Sequence, residues 1–192
     1  MEVKPLPGFI LQFETGAELL ISKSIQMETK TQNQKKPALQ KELVIDRVLN
    51  LPINKVWQAW TEAKSFKKWW GPKDFTCPSS RMEAKVGGKY LNCMRSPNGK
   101  EFWSTGVVEE IITEKKLAIT DSFSDEKGNI IPASAYGMEG DWPMECHITA
   151  SFEKMGDKTK MSLRHEGIPP EMHDECRQGW NESLDKLEKN LK

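Results

Sequence analysis

The groups in this 192-residue chain that could do chemistry are few: three histidines, four cysteines and scattered carboxylates. Cys146-His147 is the nearest thing to a nucleophile beside a base, but neighbours on a strand point to opposite faces, so thiol and imidazole diverge. No G-x-S-x-G, no H-E-x-x-H and no Gly-rich phosphate loop occurs, which argues against hydrolase, metalloprotease and nucleotide chemistry. Cys77, Cys93, Cys146 and Cys176 contain no C-x-x-C pair, so a zinc site is not expected. Glu171, His173, Asp174 and Glu175 read as the acidic start of a helix, which suits the helix dipole without any metal. No cofactor is expected. What remains is Asn92, Asp121 and His165, polar residues set into apolar stretches, where they could orient the polar group of a ligand in an otherwise apolar cavity. The plainer role for His165 is a strand-end histidine hydrogen-bonded to backbone or water.

Trp69-Trp70-Gly71-Pro72 adds apolar bulk to this set. Each indole brings a large apolar surface and an N–H that wants a partner. Helical neighbours lie about 100° apart, so the two rings cannot share one face. One reading makes the pair a core anchor at a helix stop, since Gly-Pro forces a turn. The other makes it the wall of a pocket.

The elements that must position these residues follow from periodicity. Leu43, Ile45 and Val48 suggest a short strand ending at Asn50, and Pro52 suits the first turn of a helix over residues 53–62 carrying Val56, Trp57 and Trp60. Ser65 can cap a second short helix bearing Phe66, Trp69 and Trp70. Strict alternation over residues 80–86 predicts a strand with Met82, Ala84 and Val86 inward, and Gly87-Gly88 then turns the chain. In the next strand Tyr90, Asn92 and Met94 face in, and Ser96-Pro97-Asn98-Gly99 closes a hairpin.

Strands are expected at 101–112, at 116–123, where Asp121 lies beside Phe123, at 144–154 and at 158–166, with a loop from about 125 to 142. Parity turns Met144, Cys146, Ile148, Ala150 and Phe152 inward on one strand, and Met161, Leu163 and His165 inward on the last. Met172, Cys176, Trp180, Leu184, Leu187 and Leu191 then form one apolar stripe on a helix over residues 170–191. The sum is an α+β fold in which a curved antiparallel sheet wraps around a long C-terminal helix, with two short helices after the first strand.

Lysine plus arginine equals aspartate plus glutamate at 28 each, so no net field draws the chain to nucleic acid. No run reaches the ~20 apolar residues of a membrane span. Seven tryptophans and nine methionines suit an irregular, adaptable interior. The cysteines read as reduced thiols of a cytoplasmic protein. Composition divides the chain near residue 40. Residues 1–40 form an N-terminal extension with two short apolar runs and a polar linker beginning near Met27, and residues 41–192 form the domain. A second reading starts translation at Met27.

Five segments in order carry a family resemblance: Val56-Trp57-Gln58-Ala59-Trp60-Thr61, Trp69-Trp70-Gly71-Pro72, Val86-Gly87-Gly88-Lys89-Tyr90, the stretch from Met94 to Glu101, and the stretch from Gly179 to Leu187. The chain resembles the SRPBCC superfamily, and within it the branch named after the activator of the heat-shock protein 90 ATPase. The resemblance implies a helix-grip, START-like (Bet v 1-like) fold with a cavity between sheet and C-terminal helix, which in many relatives binds apolar or amphipathic small molecules. Noncatalytic binding of such a molecule is the leading expectation. Parity and resemblance together assign the cavity to Trp60, Phe66, Trp69, Trp70, Met82, Tyr90, Asn92, Met94, Phe123, Ile148, Met161, Leu163, His165, Cys176, Trp180 and Leu184. Two alternatives stay open: a module that engages a chaperone or another protein, and a cyclase- or lyase-type enzyme using His165 or Asp121 in the same cavity.

Overall fold

The structure is a computed structural model that describes residues 42–191. The expectations for residues 1–40, including the linker and a start at Met27, lie outside the described residues.

Strand β1 (Leu43–Leu49) buries Leu43, Ile45 and Leu49, while Val48 is exposed. The remaining inward slot on this strand belongs to Arg47, whose guanidinium bonds the carbonyl of Asn181 and the carboxylates of Asp185 and Glu188. An edge strand can place a charged residue there because the flank of the final helix passes over it. Pro52 precedes helix α1 (Ile53–Thr61), which buries Ile53, Val56, Ala59 and Trp60. Helix α2 (Ala63–Phe66) starts two residues ahead of the expected Ser65 cap, and the chain continues in tight turns to Trp69 and Trp70, whose amides both bond the Phe66 carbonyl.

Among the described residues, seven strands follow one antiparallel plan. After β1 come β2 (Ser80–Met82), β3 (Lys89–Arg95), β4 (Glu101–Ile112), β5 (Lys116–Ser124), β6 (Cys146–Met155) and β7 (Lys158–Glu166). Their order in the sheet is β1-β7-β6-β5-β4-β3-β2. Each later strand folds back beside its predecessor, and β1 closes against β7 with Leu43 opposite His165. A register shift between Val108 and Glu110 bends β4, as a bulge does by increasing local twist. Single 3-10 turns at Ala133–Tyr136 and Pro170–Met172 punctuate the long loop and the approach to helix α3 (His173–Asn190). Helix α3 buries Trp180, Ser183, Leu184 and Leu187.

Two parity readings fail. The strand expected over 80–86 stops at Met82, and Ala84 and Val86 are exposed. The chain coils there instead: the Lys85 amide bonds the Glu83 carbonyl and the Gly88 amide bonds the Lys85 carbonyl. Any side chain at Gly88 would place its Cβ 2.0 Å from the Glu83 carbonyl oxygen, so this tight turn requires glycine. Met144 is also exposed, because β6 begins at Cys146, opposite Asp121 at the end of its ladder with β5. The His147 side chain points outward as expected, toward Glu109.

Helix α3 is tied to the loop after α2 by one lysine. Lys186 Nζ donates to the carbonyls of Gly71, Pro72 and Phe75 at 2.9, 3.3 and 2.7 Å. Gly71, at φ +100°, holds a backbone conformation that a Cβ would strain. Lys186→Met keeps the stem and removes the three donors. It is expected to lower stability by about 1.5–3 kcal/mol, measured as the urea midpoint at constant slope.

Candidate functional site

The loop after α2 separates the two adjacent indoles. Trp69 is fully buried, and its Nε1–H donates to the Ala59 carbonyl at 2.9 Å. Trp70 remains partly open and meets Trp180 of α3 edge-on, with ring centroids 5.2 Å apart. Trp180 in turn stacks on Trp60 at 5.9 Å. These rings close one end of a space that the sheet and α3 leave between them.

That space has a volume of about 420 Å³. Trp70, Pro72 and Phe75 wall it from the loop after α2. Met94, Phe102, Ser104, Asp121, Ser122, Phe123, Cys146 and His165 wall it from the sheet. Met138, Trp142 and Pro143 of the long loop cover it, and Met172, Glu175, Cys176, Gly179, Trp180 and Ser183 face it from the helix and its approach. A second hollow of about 20 Å³ lies among Trp60, Phe66, Met82, Tyr90, Asn92 and Ile148, and it shares Trp70, Ser104, Asp121 and Trp180 with the larger one.

The sixteen residues assigned from sequence divide three ways. Trp70, Met94, Phe123, His165, Cys176 and Trp180 line the large cavity. Trp60, Phe66, Met82, Tyr90, Asn92 and Ile148 line the small hollow. Trp69, Met161, Leu163 and Leu184 line neither and are fully buried. Met161 and Leu163 belong to the part of the sheet that α1 covers, where the inward face is filled. Phe102 and Ser104 were absent from the sequence assignment yet pair directly with Met94 and Asn92. Cross-strand partners share a face, so that inference was open. Met138 and Trp142 sit in an aperiodic loop and gave no such signal.

One ring nitrogen of His165 takes a side-chain partner from the final helix. Its Nδ1 lies 3.2 Å from Trp180 Nε1. An indole N–H only donates, so Nδ1 accepts and the neutral ring carries its proton on Nε2. Nε2 has no partner among the described residues. Burial, with His173 nearby, pushes the imidazole down to about 4, so His165 is uncharged at neutral pH.

Asp121 lies deep in the fold but keeps part of its surface open to the cavity. Burial raises its carboxyl to about 6, against the opposing hydrogen bond from Tyr90. The Tyr90 hydroxyl reaches Asp121 Oδ1 at 2.5 Å and the Thr120 carbonyl at 3.0 Å. Asn92 Oδ1 is occupied by the Ser80 hydroxyl at 2.6 Å. Burial pushes Cys146 up to about 12 and Cys176 up to about 11, so neither cavity thiol supplies a thiolate nucleophile at neutral pH. Among the described residues, no cluster of three or more His, Cys, Asp or Glu could hold a metal ion, and no helix is long and apolar enough to cross a membrane.

A curved antiparallel sheet gripping a long C-terminal helix, with two short helices after the first strand, defines a helix-grip, START-like domain. The family model described as Activator of Hsp90 ATPase homolog 1-like protein matches residues 50–192, and the chain belongs to that family. A crystal structure of a Nitrosomonas europaea protein is similar at 25% identity and TM-score 0.64, covering 80% of this chain and 96% of that one. A Chromobacterium violaceum protein is similar at 24% identity and TM-score 0.65, covering 78% and 96%. The AHSA1 protein of Silicibacter pomeroyi shares the fold at 19% identity and TM-score 0.63, covering 79% and 97%. No curated protein matches the chain.

Proposed function

We propose that this domain binds an apolar or amphipathic small molecule, without chemical change, in the cavity between the sheet and α3. The observation that carries the reading is the cavity itself. Its volume of about 420 Å³ falls within the range of roughly 300–1,000 Å³ typical of small-molecule sites. Its walls are mainly aromatic and aliphatic, with polar groups at Ser104, Asp121, Ser122, His165, Glu175 and Ser183. Protonated thiols, and an imidazole whose lone-pair nitrogen already accepts the Trp180 indole N–H, suit holding a molecule better than attacking one. The chaperone-partner reading rests on the family name, and the cyclase or lyase reading on Asp121 and His165.

The test uses N-phenyl-1-naphthylamine, an uncharged apolar fluorophore. Saturable binding with enhanced emission is expected for the natural chain. Cys176→Trp, which puts an indole into the cavity, is expected to weaken that binding by about tenfold or more, the equivalent of losing one well-packed apolar contact. Absence of saturable binding to the natural chain overturns the reading, as does a Cys176→Trp variant that binds as tightly.

A further inference from the structure

We infer that the cavity takes molecules whose polar end is a hydrogen-bond donor, uncharged or cationic, and turns away carboxylates and phosphates. The inference rests on the cavity reading above and adds the chemistry of the head group.

Its first support is the sign of the lining. Among the described residues, no lysine or arginine lines the cavity, whereas two carboxylates do, Asp121 within and Glu175 on the exposed helix turn. Three cations on the elements that form its walls are engaged elsewhere. Lys186 is spent on the carbonyls of Gly71, Pro72 and Phe75. Lys100 bonds the Tyr136 carbonyl and sits over the Phe102 ring, and Arg177 bonds the Val44 carbonyl. His165, among the described residues the one lining side chain that could become cationic, is held neutral by burial and by the indole N–H on its Nδ1. An anionic head would lose its water with no counter-charge to replace it.

The second support is an open acceptor. Asp121 Oδ1 receives the Tyr90 hydroxyl, but Oδ2 accepts no hydrogen bond among the described residues and is not sealed within the fold. The Tyr90 bond fixes the carboxyl's orientation, and Asp121 lines both the large cavity and the inner hollow, which makes Oδ2 the acceptor it can offer there. A hydroxyl or ammonium can bond to it, whereas a carboxylate or phosphate meets like charge across a low-dielectric wall.

The experiment displaces bound N-phenyl-1-naphthylamine from the natural chain at pH 7.5 with four molecules sharing one tail: decylamine, 1-decanol, decanoate and decyl phosphate. Decylamine and decanol are expected to compete at least about tenfold better than decanoate and decyl phosphate. Asp121→Asn removes the charge and is expected to narrow the gap between decylamine and decanoate to about threefold or less. If decanoate or decyl phosphate competes as well as the amine and the alcohol, the inference is overturned while the cavity reading stands. If the fluorophore itself does not bind, both fall.

Discussion

Replacing Trp69 with alanine is expected to remove about 3–5 kcal/mol of stability, the range for deleting a buried aromatic side chain. The ring is fully buried, with Phe66 at 5.0 Å, Trp60 at 5.1 Å and Trp70 at 5.8 Å between centroids. Its N–H does a second job. Ala59 lies in the last turn of α1, where backbone carbonyls lack intrahelical partners, and the indole satisfies one of them. Alanine therefore leaves both a hole and an unbonded buried carbonyl. Trp69→Phe keeps most of the apolar volume and loses the donor, so about 1–2 kcal/mol is expected. Trp70→Ala acts differently, because that ring is half-open and faces the cavity. It is expected to cost less stability than Trp69→Ala and to weaken fluorophore binding. Urea unfolding of the three variants checks this order, and equal losses at Trp69 and Trp70 would contradict it.

The second large effect is in pH dependence, where Asp121 and His165 oppose each other. The Asp121 carboxyl rises from 3.8 to about 6 on folding, so between those values the folded chain holds more of that proton than the unfolded one. Its stabilising contribution is complete below pH 4 and is lost as pH rises toward 6. The His165 imidazole falls from 6.5 to about 4, so the unfolded chain holds more of its proton over nearly the same window. Its contribution is complete above pH 6.5 and is lost as pH falls toward 4. Each displacement corresponds to about 3 kcal/mol, and in the natural chain the two slopes nearly cancel. Single variants break the balance. Asp121→Asn should lose about 3 kcal/mol relative to the natural chain on going from pH 6.5 to 4, and His165→Gln should gain about as much. Urea midpoints at half-unit pH intervals measure both. Variant profiles that run parallel to the natural one would show that these groups are not buried as described.

Strand parity was a reliable guide wherever a ladder continued and failed where one stopped. Cys146, Ile148, Ala150 and Phe152 of β6 and Met161, Leu163 and His165 of β7 are all buried, because both strands are paired along their length. Ala84 and Met144 broke the pattern at positions beyond the last paired residue, and a chain without a neighbouring strand has nothing to keep its alternation. Arg47 on an inward slot of β1 was hidden for another reason. Its partners, Asp185 and Glu188, are 138 and 141 residues away, and no local pattern announces them.

The sequence by itself determined the order of elements, the antiparallel curved sheet, the apolar stripe of the last helix and the family, since each is written in local periodicity or in contiguous motifs. It also determined that the adjacent indoles of Trp69 and Trp70 must part. Tertiary structure alone decided which indole became core and which became wall, because that depends on Ala59 offering a carbonyl and on Trp180 arriving from the far end of the chain. It likewise decided that Met161, Leu163 and Leu184 fill space while Met94, Phe123 and His165 border it. Inward-facing residues on one sheet look alike in sequence. Only the distance between that sheet and the helix packed over it separates filled core from open cavity.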